Sequence, residues 1–238
     1  MRLIFVRHAE PDYVHDSLTE KGFKEAEILA KRTKNWKPDE IYCSPLGRAQ
    51  ATMKPSLKNW KDKTPVTYDW LEEFPARVED PETKEKRICW DFMPEYFCNQ
   101  DDLHDKDKWY KSGCMLTGDV DKDFARTKNG IDKLLAEHGY INQGNGLFKI
   151  EKHSDDTLVF FCHFAITSTI VGHLTGIAVP ALWQGFIMSP TGVTVLCSEE
   201  RKAGSGAFRV QYWGDVSHLR EYGEEISQSG YFAEIFQD

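Results

Sequence analysis

The sequence predicts an α/β fold built on a mostly parallel sheet. Three observations predict it. Short apolar runs of strand length alternate with stretches whose apolar residues recur at helical spacing. Two of those runs, RLIFV at 2–6 and LVFFC at 158–162, are apolar on both faces, as in strands covered by helices on either side. The chain has 238 residues, 40% hydrophobic and 29% charged, which suits one soluble globular domain, or one domain carrying a large insertion.

The elements come in this order. Residues 2–6 form a first strand that runs straight into Arg7 and His8. Ser17 with Glu20 fits a capping box, with Thr19 as an alternative cap. The helix so started carries Phe23, Ala26, Leu29, Ala30 and Thr33 to about Trp36, and Pro38 ends it. Glu40 to Cys43 is a second strand. Ser44-Pro45 then starts a helix that Pro55 kinks or ends. Val66 to Tyr68 is a third strand, leading to Leu71-Glu72-Glu73-Phe74. From about 76 to 126 the period weakens in a stretch dense in charge and aromatics. It reads as an ordered inserted cap, with the aromatics of 90–110 as its own small core. Residues 120–138 read as a helix and 142–145 as a loop. The buried run 158–162 leads into His163 and a helix through Ile166, Ile170, Val171 and Leu174, ended near Gly176. Strands at 193–197 and 208–213, joined by the charged turn 199–206, finish the sheet. No internal repeat interrupts this order, so residues 1–238 read as a single domain with an insertion at about 76–126.

A formal net charge of −8 argues against nucleic acid or an anionic membrane as partner, since both want a basic face. A small anion needs only a local positive pocket. The six cysteines form no CxxC pair, which excludes the common zinc spacings and reads as reduced thiols in a cytoplasmic protein. The first apolar run is broken by Arg7, so it makes no signal peptide, and no run reaches membrane-spanning length. The sequence is silent on oligomeric state.

Ligands of open α/β sheets bind outside the carboxyl ends of the strands. His8 and His163 both come directly after buried strands. Arg48 falls in the first turn of a helix after the second strand, where the helix terminus itself favours anions. Glu72 and Glu73 lie just beyond the third strand. Singly, each has an ordinary reading as a strand end, a core histidine, a solvated helix face or surface charge. Together they suit phosphoryl transfer. Arginine binds phosphate oxygens in bidentate fashion, neutral imidazole is a nucleophile near pH 7, and a carboxyl group moves the proton. Such a set works by positioning and charge, and calls for no metal or cofactor. Thr52 is assigned to packing, and His15, His104, His138, His153 and His173 to surface or structural places.

Arg7-His8, the stretch Leu18-Thr19-Glu20-Lys21-Gly22, and Ser44-Pro45-Leu46-Gly47-Arg48-Ala49-Gln50-Ala51-Thr52 together resemble the histidine phosphatase superfamily, branch 1, the phosphoglycerate mutase-like group. The resemblance covers roughly residues 1–75 and 157–220. It implies a three-layer α/β/α sandwich and a phosphatase that hydrolyses phosphate monoesters through a phosphohistidine on His8. Arg7, Arg48 and His163 would cradle the phosphoryl group, with His163 also among the catalytic groups. The family's Leu-x-Glu pattern selects Glu73 as acid/base, not Glu72. Gly214-Asp215-Val216-Ser217-His218-Leu219 is similar to a segment of several members and belongs near the site. One departure stands out: the family's glycine after the second histidine is Phe164 here.

A phosphomutase of the same fold and a catalytically impaired phospho-ligand binding module are the rival readings. Charges at Arg77, Lys84, Lys86 and Arg87 are interleaved with Glu79, Asp80, Glu82 and Glu85, which gives no second anion site and favours hydrolysis. A metallohydrolase on His8, Asp12 and His15 matches no standard ligand spacing. The expected partner is a small phosphorylated substrate.

Overall fold

In the computed structural model, which describes residues 1–231 and 234–237, the first apolar run is strand β1 (Arg2–Arg7). Leu3 and Phe5 belong to one hydrophobic cluster and Ile4 and Val6 to another. The alternation of a strand thus feeds two cores at once, and both need helices over them. One face is covered by α1 (Glu20–Thr33) and α2 (Gly47–Ser56), whose Leu29, Ala49 and Met53 meet Ile4 and Val6. The other is covered by α4 (Val120–Glu137), α5 (Phe164–Thr175) and α6 (Val179–Gly185). Two shorter helices, α3 (Pro94–Cys98) and α7 (Ser217–Glu221), complete the set. This is the expected three-layer α/β/α sandwich.

The remaining sheet strands are β2 (Glu40–Cys43), β3 (Val66–Thr67), β4 (Tyr140–Gly144), β5 (Leu147–Ile150), β6 (Thr157–Cys162), β7 (Val193–Lys202) and β8 (Ser205–Asp215). Their order is β3-β2-β6-β1-β7-β8-β5-β4. The four strands β3, β2, β6 and β1 are mutually parallel. From β1 onward the pairings are antiparallel, so only β7 and β5 oppose the common direction. The parallel half brings three strand ends together, and β6 lies between β1 and β2 because its Phe160 and Phe161 bury fully on opposite faces.

Several local expectations are revised. The α1 cap is Thr19, whose Oγ1 accepts the Gly22 N–H at 3.0 Å, while Ser17 pairs with Asp12 in a two-residue ladder. The helix ends at Thr33, before Trp36. Helix α2 begins at Gly47, two residues later than Ser44-Pro45 implied, and ends one residue past Pro55. The 142–145 loop is part of a hairpin: Asn145 and Gly146 have φ of 55° and 76°, the two left-handed residues of the tight turn that Asn-Gly favours. Strands β7 and β8 run longer than read, which leaves only Ala203 and Gly204 between them.

The segment after Phe74 has a short hairpin, 77–79 against 86–88, then α3 and brief 3₁₀ turns up to Thr117. Its aromatics do not form a core of their own. Trp109 is fully buried, with its ring 4.8 Å from Phe124 and 5.1 Å from Trp183, inside the main cluster. Replacing it by alanine is therefore expected to cost about 3–5 kcal/mol of stability. A urea melt checks this; a loss under 1 kcal/mol would contradict the packing.

Candidate active site

The parallel ladder continues one residue past each strand end. His8 N–H donates to Cys162 O at 2.9 Å, and Ser44 N–H to Phe161 O at 2.9 Å. These bonds set His8, His163 and Ser44 side by side at the carboxyl edge of β1, β6 and β2. The imidazoles of His8 and His163 lie 5.1 Å apart, both buried.

Each ring is oriented by one hydrogen bond. His8 Nδ1 lies 2.7 Å from Ala9 O, so it carries the proton and leaves the Nε2 lone pair free. His163 Nε2 lies 2.7 Å from Ser44 Oγ, which itself accepts the Leu46 N–H at 3.2 Å. Ser44 Oγ and His163 Nε2 share one hydrogen bond whose donor is set by the tautomer of the ring. The His163 Nδ1 is buried with no partner among the described residues. Burial, then the Arg7 and Arg48 charges, push His8 well below the usual imidazole range; burial, then His8, Arg48 and Arg7, do the same to His163. Both are neutral at pH 7.

Arg7 is buried. Its NH1 donates to Met188 O, and its Nε has no partner among the described residues. A Cβ on Gly230 would stand 3.2 Å from Arg7 NH2, so the C-terminal chain passes directly over the guanidinium. Ser227 Oγ donates to Glu10 Oε2 at 2.6 Å, and Tyr231 OH to Ser189 Oγ at 2.7 Å, which fastens this strap on both sides. Arg48 is mostly buried on α2, with its NH1 2.6 Å from Asp16 Oδ1.

Glu73 reaches α5. Its Oε1 accepts the Ile166 N–H and the Phe74 N–H, each at 3.1 Å, which caps a helix whose own N-cap, His163, makes no side-chain capping bond. Burial raises its pKa, and the helix N–H, Arg7 and Arg48 only partly offset that rise. Glu72 turns away and pairs with Arg126 at 2.6 Å. The structure therefore brings Arg7, His8, Arg48, Glu73 and His163 into one buried cluster and leaves Glu72 outside it.

Thr52 does more than pack: its Oγ1 accepts the Ala9 N–H at 2.9 Å and donates to Arg48 O at 2.8 Å, tying the turn after β1 to α2. The 214–219 segment reaches the site at one remove. His218 Nε2 meets Thr191 Oγ1 at 3.0 Å, and Thr191 N–H donates to His8 O at 3.2 Å. Burial and the Arg32 guanidinium lower His218 to about 3. The unfolded imidazole takes up its proton near pH 6.5 and the folded one only near pH 3, so stability falls with pH across that window. His218→Gln is expected to flatten the fall by up to about 1.4 kcal/mol per pH unit. Urea midpoints at pH 6.5 and 4.5 measure it, and parallel declines in the two proteins would refute it.

The described residues contain no group of three or more His, Cys, Asp or Glu side chains placed to hold a metal ion. His15 and Asp12 pair at 2.6 Å in an exposed loop, separate from the buried His8. No described helix is long and apolar enough to cross a membrane.

Residues 3–113 match the family model of the histidine phosphatase superfamily, branch 1. Just under half of the chain therefore carries the likeness to that superfamily. Solved phosphatase structures share the fold over nearly the whole chain. The phosphoserine phosphatase of Entamoeba histolytica, in complex with 3-phosphoglyceric acid, is 20% identical with a TM-score of 0.59, over 92% of this chain and 98% of that one. A mycobacterial glucosyl-3-phosphoglycerate phosphatase is 18% identical with a TM-score of 0.59, over 90% and 98%. The alpha-ribazole phosphatase of Shigella flexneri is 16% identical with a TM-score of 0.55, over 88% and 95%. No curated protein sequence matches the chain. The site's less expected parts are Ser44, Asp16, Thr52 and the strap at 227–231. Of these, only Ser44 carries a local signal, and it reads as a helix cap.

Proposed function

We propose that the protein is a phosphatase that hydrolyses phosphate monoesters through a phosphohistidine on His8. The observation that carries this reading is the His8 ring: neutral, its Nδ1 proton on Ala9 O, its Nε2 lone pair free beside His163 and two arginines. In the first step Nε2 forms a bond to phosphorus and the ester P–O bond breaks. Glu73, whose burial favours the acid form, gives its proton to the leaving oxygen. In the second step the Glu73 carboxylate takes a proton from water, the water oxygen bonds to phosphorus, and the P–N bond breaks. His8 and Glu73 return to their starting states. Arg7, Arg48 and His163 would hold the phosphoryl oxygens as charge spreads over them. These five side chains supply nucleophile, proton and counter-charge without a metal.

Hydrolysis is favoured over mutase transfer because the cations of the inserted segment are used locally. Arg87 pairs with Asp80 and Asp91, Lys84 with Glu79, and Lys108 with Asp102 and Asp105. The neighbours named for phosphoserine, glucosyl-3-phosphoglycerate and alpha-ribazole phosphates support a small phosphate ester as substrate. A panel of such esters, assayed with chelator present, tests the proposal; no turnover of any ester would overturn it.

The inserted segment acts as a specificity cap through Trp90. Its Nε1 donates to Phe74 O at 3.3 Å, its carbonyl accepts from Gln184, and its ring meets Phe164 edge-on at 6.1 Å. Phe164, the departure from the family's glycine, thus turns its ring toward the cap. Trp90→Ala is expected to change the ranking of substrates by roughly 10-fold, on the scale of one lost apolar contact, with little change on a small activated ester. Equal loss on all esters would make Trp90 purely structural.

A further inference from the structure

We propose that Asp16 is a positioning residue that fixes Arg48 for the phosphoryl group. The inference rests on the reading of Arg48 as a phosphate ligand. Both oxygens of the Asp16 carboxylate are spent on the start of α2: Oδ1 on Arg48 NH1 and Oδ2 on Gly47 N–H, each at 2.6 Å. The loop that carries Asp16 is built for this contact. Asp16 has φ of 45°, a left-handed conformation that side chains other than Asn and Asp seldom take. A Cβ at position 47 would stand 2.2 Å from Asp16 O, so only glycine lets the loop come this close. Tyr13, from the same loop, lays its ring 5.5 Å from the Arg48 guanidinium carbon. Arg48 is thus held from one side by charge and by an aromatic face.

The rest of the guanidinium is left for a ligand. Arg48 Nε is buried with no partner among the described residues, and NH2 makes no hydrogen bond to them. The Arg48 charge acts on His8, His163 and Glu73 alike, so the guanidinium lies near all three reacting groups. An arginine free to turn would lose rotamer entropy each time it bound an anion. Asp16 removes that cost before the ligand arrives, and the pocket meets the phosphoryl group already formed.

The test is a double-mutant cycle read by calorimetric titration with inorganic phosphate, which needs no turnover. Asp16→Ala is expected to weaken phosphate roughly 10–100-fold. Added to Arg48→Ala, the same change is expected to cost nothing further. Asp16→Asn keeps an oxygen for the Gly47 N–H and so keeps the start of α2, yet loses the charge on Arg48; it guards against a folding artefact and is expected to weaken phosphate as well. Unchanged phosphate affinity in Asp16→Asn and Asp16→Ala, or an equal loss with and without Arg48, overturns the inference. The phosphatase reading fails separately: a wild-type protein that binds phosphate but turns over no ester refutes that reading while the cycle still decides Asp16.

Discussion

Replacing His8 by alanine is expected to lower turnover of every phosphate ester by a factor on the order of 10⁴ or more, the scale on which a covalent nucleophile counts in other hydrolases. The fold is expected to survive, because His8 takes part in the ladder through its backbone N–H, which alanine also supplies. Wild-type protein quenched during turnover is expected to carry a phosphoryl group on residues 7–9. A P–N bond breaks in acid and survives alkali, the reverse of phosphoserine, so the label's stability identifies its atom. Chelator is expected to change neither label nor rate. Full activity in His8→Ala, or a rate that chelator removes and a divalent metal restores, would end the phosphohistidine proposal.

The second large effect is expected at Glu73. Glu73→Gln removes the proton donor but keeps an oxygen for the Ile166 N–H, so α5 keeps its distant cap. Hydrolysis of alkyl phosphates is expected to fall by about 10²–10⁴-fold. Activated aryl esters, whose leaving oxygen needs no proton, are expected to fall far less. The pH profile carries a second signature. Glu73 holds its proton to higher pH than an ordinary carboxyl group, because burial outweighs the pull of Arg7 and Arg48. The phosphorylation step therefore declines as pH rises through that raised value, and the decline is expected to vanish in Glu73→Gln. Glu72→Gln, which only breaks the ion pair with Arg126, is the control. If Glu72→Gln shows the leaving-group signature and Glu73→Gln does not, the roles are reversed.

Gly22 shows why the first half of the chain is readable. A Cβ there would stand 2.2 Å from Glu10 O, so the Thr19-to-Gly22 helix start is pinned against the turn just after His8. The motif and the contact are the same few residues. The hairpin at 140–150 escapes a pattern reading although Asn145-Gly146 carries its turn signal, because polar Asn142 and Gln143 break the apolar alternation of β4. The aromatics of residues 90–110 mislead for another reason. Trp109 has no periodic partners nearby in sequence, and its buried contact with Trp183 joins segments far apart in the chain.

From the sequence alone come six of the eight sheet strands, the burial of the central ones on two faces and the clustering of their carboxyl ends. Alternation and helical period report which faces are dry, and a parallel sheet gathers the residues after each strand at one edge. Arg7, His8, Arg48 and His163 can be found on that ground because each sits at a strand's end, directly after one, or in the first turn of the helix that follows one. The tertiary structure alone decides what each of them touches. Ser44 orients His163 across 119 positions, Glu73 caps α5 across 93, and Asp16 holds Arg48 across 32. The strap from Ser227 to Tyr231 crosses Arg7 from the far end of the chain. None of these partners lies on a periodic face. Their meeting depends on the paths of loops, which local sequence pattern does not encode, so the proton positions and free edges that make the site reactive exist only once the chain has folded.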